Sequence, residues 1–287
     1  MTRGDSVPAP TGATPLASNG NVDYNGGPIL HSTAPYLIFW DPASKIPAAS
    51  EALMSKYLTD LAHDSGRSGN VFPVLRQYTD GSGFANYSQT FTSTHAIVDT
   101  QAYPTTNRCP ATSTAYPVCI TDAQIQAELT RLIAARGLPK GIGAKAPMYA
   151  VITPQNVNVC FDAGGSTCGD NAFCAYHSNF VDSGQQVVYS IDPFIVWALD
   201  HTKGCQTDGT TKYQTPNAEG DHAYQINDNM SHEMSETITD PLGTGWWNTY
   251  QGNGQEVGDI CATYGKPSDP LGGTSELAYA PTLGYGD

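Results

Sequence analysis

The chain has 287 residues, enough to bury a sizeable core as one domain or as two lobes of one. Its formal net charge of −14, with no Lys/Arg cluster to offset it, repels phosphate backbones and anionic surfaces, which excludes nucleic acid and membrane as partners. Charged residues make up only 14% while Gly is abundant, a balance that suits a secreted, loop-rich protein expected to act as a monomer.

Residues 1–24 are rich in Pro, Ala, Thr, Ser and Gly and are expected to form a flexible or surface-draped tail. Met1-Thr2-Arg3-Gly4-Asp5 lacks the apolar run of a signal peptide, so an exported form is expected to carry its leader outside this sequence. A single domain of two lobes is expected over 25–287. Ala34 to Trp40 is a β-rich apolar run closed by Asp41-Pro42 and reads as a buried strand. Residues 47–64 follow with helical spacing through Leu53, Tyr57, Leu58 and Leu61. His63 falls on the surface of its last turn.

Val71–Tyr78 and Thr94–Asp99 read as two further strands with a Gly81–Gly83 loop between them, and His95 reads as structural. Thr121-Asp122 opens a helix through Ile125, Leu129, Leu132 and Ile133 that ends at Gly137, and Ala146–Thr153 is the next strand. This alternation predicts an α+β fold, a mixed sheet backed by helices. From Asn156 the chain changes to cysteine-bearing loops, with a short strand at Gln186–Ser190 and a polar loop over 200–225.

Seven cysteines, at 109, 119, 160, 168, 174, 205 and 261, lie in loops rather than in C-x-x-C pairs, which points to disulfides and an oxidising compartment. Cys109 with Cys119, and two of Cys160, Cys168 and Cys174, can close short loops, and the odd count leaves at least one sulfur over.

The stretch from Ser231 to Pro241 predicts a short helix capped by Asn227, Asp228 or Asn229 and stopped at Asp240-Pro241. Ile226, Met230, Met234 and Ile238 form an apolar stripe on one side. His232 and Glu236 lie one turn apart on the other side, where an imidazole and a carboxylate can grip one cation, and Glu233 stands beside them as a base. The pattern differs from H-E-x-x-H by Glu for the second His. Downstream, Asp259 is favoured as a third ligand, because Gly258 permits a close backbone approach, with Glu256 or His177 as alternatives. His177 serves otherwise as a donor to a transition-state oxyanion, and Tyr264 is a weaker candidate for that role. His201 and His222 read as loop residues, Trp246 and Trp247 as core packing, and Asp240 as the closure of the helix end.

Several of these pieces occur together in one order: Asn25-Gly26-Gly27-Pro28-Ile29-Leu30, Cys174-x-x-His177, His232-Glu233-x-x-Glu236-x-x-Thr239-Asp240-Pro241, Trp246, and Glu256-Val257-Gly258-Asp259-x-Cys261. In this the chain resembles the phosphate-induced, Exordium-like family of secreted proteins and their microbial relatives, over residues 24 to about 265. The helix motif itself looks like that of zincin metallopeptidases with a carboxylate second ligand. That likeness implies a zincin-like sheet with an active-site helix beneath a cleft, a cleft-edge strand at 186–190, disulfide-pinned loops, and a zinc-dependent peptidase acting on peptide or protein. Two anionic ligands lower the pKa of a bound water less than neutral ones, so a harder ion such as calcium, alone or in addition, also fits such a site. The competing reading is a non-catalytic extracellular module that binds cell wall or receptor and keeps a structural metal.

Overall fold

The computed structural model describes residues 22–67, 72–85, 88–106, 108–110, 116–170, 172–193, 218–248 and 256–258, with only the backbone described for 218–228. In chain order the elements are β1 (Asp23–Tyr24), β2 (Thr33–Trp40), α1 (Ala48–His63), β3 (Thr79–Asp80), β4 (Gly83–Phe84), β5 (Ala96–Asp99), β6 (Val118–Thr121), α2 (Asp122–Arg136), β7 (Ala146–Thr153), β8 (Val157–Cys160), β9 (Tyr176–Asp182), β10 (Gln185–Pro193), α3 (Ala218–Thr239) and β11 (Trp246–Trp247). The fold is α+β. Its centre is a mixed five-stranded sheet in the order β5-β2-β7-β10-β9, parallel except for β9.

Both faces of this sheet are covered, which is why β2 and β7 are buried along their whole length and read as unbroken apolar runs. The period of two then sorts their side chains. Leu37, Phe39, Ala150, Ile152 and Val188 pack with Met54, Leu58 and Leu61 of α1 and with Met230, Met234 and Ile238 of α3. Tyr36, Ile38, Trp40, Tyr149, Val151 and Tyr189 pack on the other side with Ile125, Leu129, Leu132 and Ile133 of α2. Met230, Met234 and Ile238 of the stripe expected on α3 therefore form a core face, the side chain of Ile226 lying outside the described residues, and each of the three contributes about 1.5–3 kcal/mol. Helix α2 ends at Gly137, whose left-handed φ of 62° closes the last turn.

Four expectations need correction. Residues 72–77 form a short 3₁₀ helix rather than a strand: Pro73 has no N–H for a sheet ladder, and the three-residue spacing buries Phe72 and Leu75 together. The 176–182 segment, expected as loop, is strand β9, folded back on β10 through Ser183 and Gly184, both at positive φ. Strand β10 is consequently interior, and the sheet edge is β9. Helix α3 starts at Ala218, so part of the expected 200–225 loop is helical and the ladder runs through Asn227, Asp228 and Asn229 without a break. Asn and Asp cap a helix only where its hydrogen bonds stop. Finally, Asp23 and Tyr24 of the expected tail pair with Trp247 and Trp246.

That pairing begins a clamp on the end of α3. Asn25 N donates to Gly245 O, Gly27 N to Thr244 O and Leu30 N to Ile238 O, so Asn25–Leu30 lies along the turn that follows the helix. No side chain fits at Gly27, where an added Cβ would collide with the side chain and carbonyl of Thr244, or at Gly245, where it would collide with Thr239 O. Gly245→Ala is expected to lower stability by about 1–3 kcal/mol, the usual cost of overpacking. Thermal unfolding checks this against Gly143→Ala, which meets open space and, like Gly245, has no positive φ.

Two disulfides join Cys109 to Cys119 and Cys160 to Cys168, and Cys119 Sγ lies 3.4 Å from Cys160 Sγ in a buried sulfur cluster. They fit an oxidising, extracellular setting. No helix among the described residues is long and apolar enough to cross a membrane.

Candidate metal centre

The last turns of α3 carry the site, and their position is fixed at both ends of the packing. Met230, Met234 and Ile238 are sunk in the core at 0–2% exposure, which turns His232, Glu233 and Glu236 toward the end of the sheet formed by β9 and β10. Asp240 Oδ1 accepts hydrogen bonds from Thr244 N and Gly245 N, each at 2.6 Å, so this carboxylate closes the helix end as expected from the Asp-Pro stop.

Five ionisable side chains converge there. His232 Nε2 lies 3.0 Å from Glu236 Oε1. From the edge strand, His177 Nδ1 lies 3.3 Å from Glu233 Oε2 and 3.4 Å from Glu236 Oε2. His177 Nε2 in turn lies 3.5 Å from Glu256 Oε1. His177/Glu236/Glu256 and His232/Glu233/Glu236 each bring three potential ligand atoms within 4.8 Å of one another. Gly258 seals the far side, for a Cβ there would stand 2.8 Å from Glu236 Oε1 and from two carbons of the His232 ring. Asp259 itself lies outside the described residues, as do Tyr264 and His201 and the side chain of His222.

The register of β9 on β10 accounts for His177. It pairs with Ser190, so it shares a sheet face with Ser190 and with Asp192, the face on which α3 packs. Asp192 is a site residue that sequence reasoning missed. It is fully buried, accepts a hydrogen bond from Ser190 Oγ at 2.9 Å on Oδ2, and has no partner for Oδ1 among the described residues. Its signal was an acid at the end of an apolar strand, next to Pro193, which a strand-end turn explains equally well.

Burial and mutual charge set the protonation of the group. Burial first, then the Glu233 charge, push the Asp192 carboxyl well above its ordinary value of 3.8. Burial also raises Glu233, against the hydrogen bond from His177 and the charge of His232. Burial alone would lower His177, but its bonds to Glu233 and Glu236 and the Glu256 charge raise it well above 6.5. Glu236 would be raised by burial, yet His232 and the hydrogen bonds from both imidazoles bring it down to about 2.

These directions give a pH dependence for the chelator-treated protein. His177, Glu233 and Asp192 hold protons more tightly folded than unfolded, so their stabilisation is complete below the unfolded values of 6.5, 4.5 and 3.8 and is lost as pH rises through the folded ones. Glu236 acts oppositely: its contribution is present above 4.5 and is lost as pH falls toward about 2. Between pH 5 and pH 8 the Glu236 contribution is constant while those of the other three are being lost, so the melting temperature in chelator is expected to fall across that range. Zinc is expected to abolish the fall, because ligands bind it deprotonated. Thermal melts with and without zinc across that range check both statements.

The other singled-out residues lie elsewhere. His95 stacks on Tyr36 at 4.3 Å and binds Pro35 O through Nδ1, a packing role. His63 is exposed and pairs with Asp64. Trp246 donates to Thr79 O and packs between Tyr24 and Tyr78. No family model, curated protein or solved structure matches this chain.

Proposed function

We propose that this chain is a secreted zinc-dependent metallopeptidase of zincin-like design, related to the microbial members of the Exordium-like family. The observation that carries the reading is the convergence of His232, Glu236, His177 and Glu256 around Glu233, from one helix, one edge strand and one downstream segment. The donor set suits zinc. A tetrahedron with bonds of ~2.1 Å has edges of ~3.4 Å, and His232 Nε2 and Glu236 Oε1 stand 3.0 Å apart. His232 and Glu236 would hold the ion, with Glu256 or Asp259 as the third ligand; Gly258, between them in sequence, lies against both His232 and Glu236.

Bound zinc supplies a Lewis acid that lowers the pKa of water and polarises a carbonyl. The chain's own residues do the rest. Glu233, buried and raised in pKa, accepts a proton from the attacking water at a carboxylate oxygen and returns it to the leaving nitrogen. His177, facing the same space, orients Glu233 through Nδ1 and donates to the developing oxyanion. Strand β9 pairs on one side only among the described residues, so its other side can take an extended peptide as an added strand. That supports a peptide substrate over a glycan or an ester.

One observation favours a second reading. In each cluster three protein groups stand within 4.8 Å of one another, close enough to hold an ion for stability alone, and a non-catalytic extracellular module would keep its metal in this way. Chelation separates the two. In the peptidase reading, EDTA abolishes cleavage of an unstructured protein such as casein and zinc restores it. A structural metal instead predicts no cleavage before or after, with only a fall in melting temperature.

A further inference from the structure

The two ligand groups share one residue, and the way they share it is informative. Glu236 presents Oε1 to His232 Nε2 at 3.0 Å and Oε2 to His177 Nδ1 at 3.4 Å. Each oxygen of one buried carboxylate thus faces a different imidazole, and behind the second imidazole stands a further carboxylate, Glu256, 3.5 Å from His177 Nε2. A carboxylate shared in this way by two ligand groups can serve as a bridge, and bridged pairs of cations in hydrolases lie ~3.5–4 Å apart.

Burial points the same way. Glu233, Glu236 and Asp192 are each at most 5% exposed, so the group is held together away from solvent. Asp192 Oδ1 has no hydrogen-bond partner among the described residues, and its carboxyl lies close enough to feel both Glu233 and His232, so it belongs to this group rather than to a separate network.

We infer that the centre takes two divalent cations, one held by His232 and Glu236 and a second by His177 and Glu256, with the Glu236 carboxylate bridging them. This rests on the metal-site reading above and extends it: Glu233 remains outside both ligand sets as the base, and His177 becomes a ligand of the second cation. Each cation receives an imidazole and a carboxylate oxygen, a donor set that favours zinc, cobalt or manganese over calcium.

The test is stoichiometry, read on the full chain stripped with chelator and titrated with Zn²⁺ by calorimetry, with bound metal counted after gel filtration. Two equivalents per chain are expected for the wild type, and one for His177→Ala and for Glu256→Gln. One equivalent in the wild type overturns the second site and leaves the single-cation reading standing; no binding at all overturns both. Two equivalents retained in folded His177→Ala overturn the assignment of the second site. Should that variant fail to fold, the wild type loaded with two equivalents of Mn²⁺ decides. An exchange-coupled electron paramagnetic resonance signal is expected from a carboxylate-bridged pair, and the spectrum of two isolated ions contradicts it.

Discussion

Glu233→Gln is expected to reduce peptide hydrolysis by about 10²–10⁴-fold, the range supplied by a positioned proton-transfer group, while bound metal stays at the wild-type level. The substitution keeps the shape of a side chain that is 5% exposed and removes its ability to accept a proton. His177 Nδ1 still finds an oxygen at that position, so the surrounding geometry is retained. Burial raises the wild-type carboxyl, which brings its proton affinity closer to neutral pH and makes it a better base than an exposed glutamate. Assay of casein cleavage, together with metal analysis on the same preparation, reads both halves of the prediction. Unchanged cleavage would move the chemistry elsewhere, and lost metal would make Glu233 a ligand instead of a base.

Glu236→Gln is expected to have the largest effect on the protein as a whole. Its carboxylate is 3% exposed and faces two imidazoles, and removing one partner of such a buried group typically costs about 3–5 kcal/mol. Stability in chelator should therefore fall, and most above pH 4.5 and below the raised folded pKa of His177, where the Glu236 carboxylate and the His177 imidazole are both charged in the wild type. Zinc affinity should fall with it, since Glu236 belongs to both ligand groups. His232→Ala offers the comparison: it removes one imidazole from one group and leaves His177, Glu236 and Glu256 together. Calorimetric titration with zinc and denaturant unfolding of the two variants check the ranking.

Much of the architecture is carried by local pattern. The apolar runs of β2 and β7, the three- and four-residue spacing of α1 and α2, and the Met230/Met234/Ile238 stripe are each set within one segment. Because the stripe fixes which way α3 turns, the joint exposure of His232, Glu233 and Glu236 to one space was legible as well. The rest depends on pairing between distant segments. Nothing local places Tyr176–Asp182 on the sheet edge; the Ser183-Gly184 turn does so only once β10 is available to pair with it. His177 reaches Glu233 because it is registered opposite Ser190, and a slip of one residue would turn it to the face covered by α2. Asp192 was overlooked for the related reason that its burial comes from α3 packing over a strand end. Pro73 is the opposite case, a local signal in the chain that should have outweighed the apolar run around it.

The Asn25–Leu30 segment shows how a motif far from the chemistry can serve it. Its backbone bonds to Ile238, Thr244 and Gly245 hold the end of the helix that carries His232 and Glu236, and Gly27 leaves room for that approach. Placement of His232 and Glu236 thus depends on contacts from the segment that follows β1 as well as on the core stripe.

The central claim is that His232 and Glu236 grip a metal ion. Diffraction from crystals of the zinc-loaded protein, recorded on both sides of the zinc absorption edge, tests it most directly. The account predicts an anomalous peak ~2.0–2.2 Å from both His232 Nε2 and Glu236 Oε1. A zinc-loaded crystal with no peak there, or with a peak that Glu236 does not touch, would contradict it.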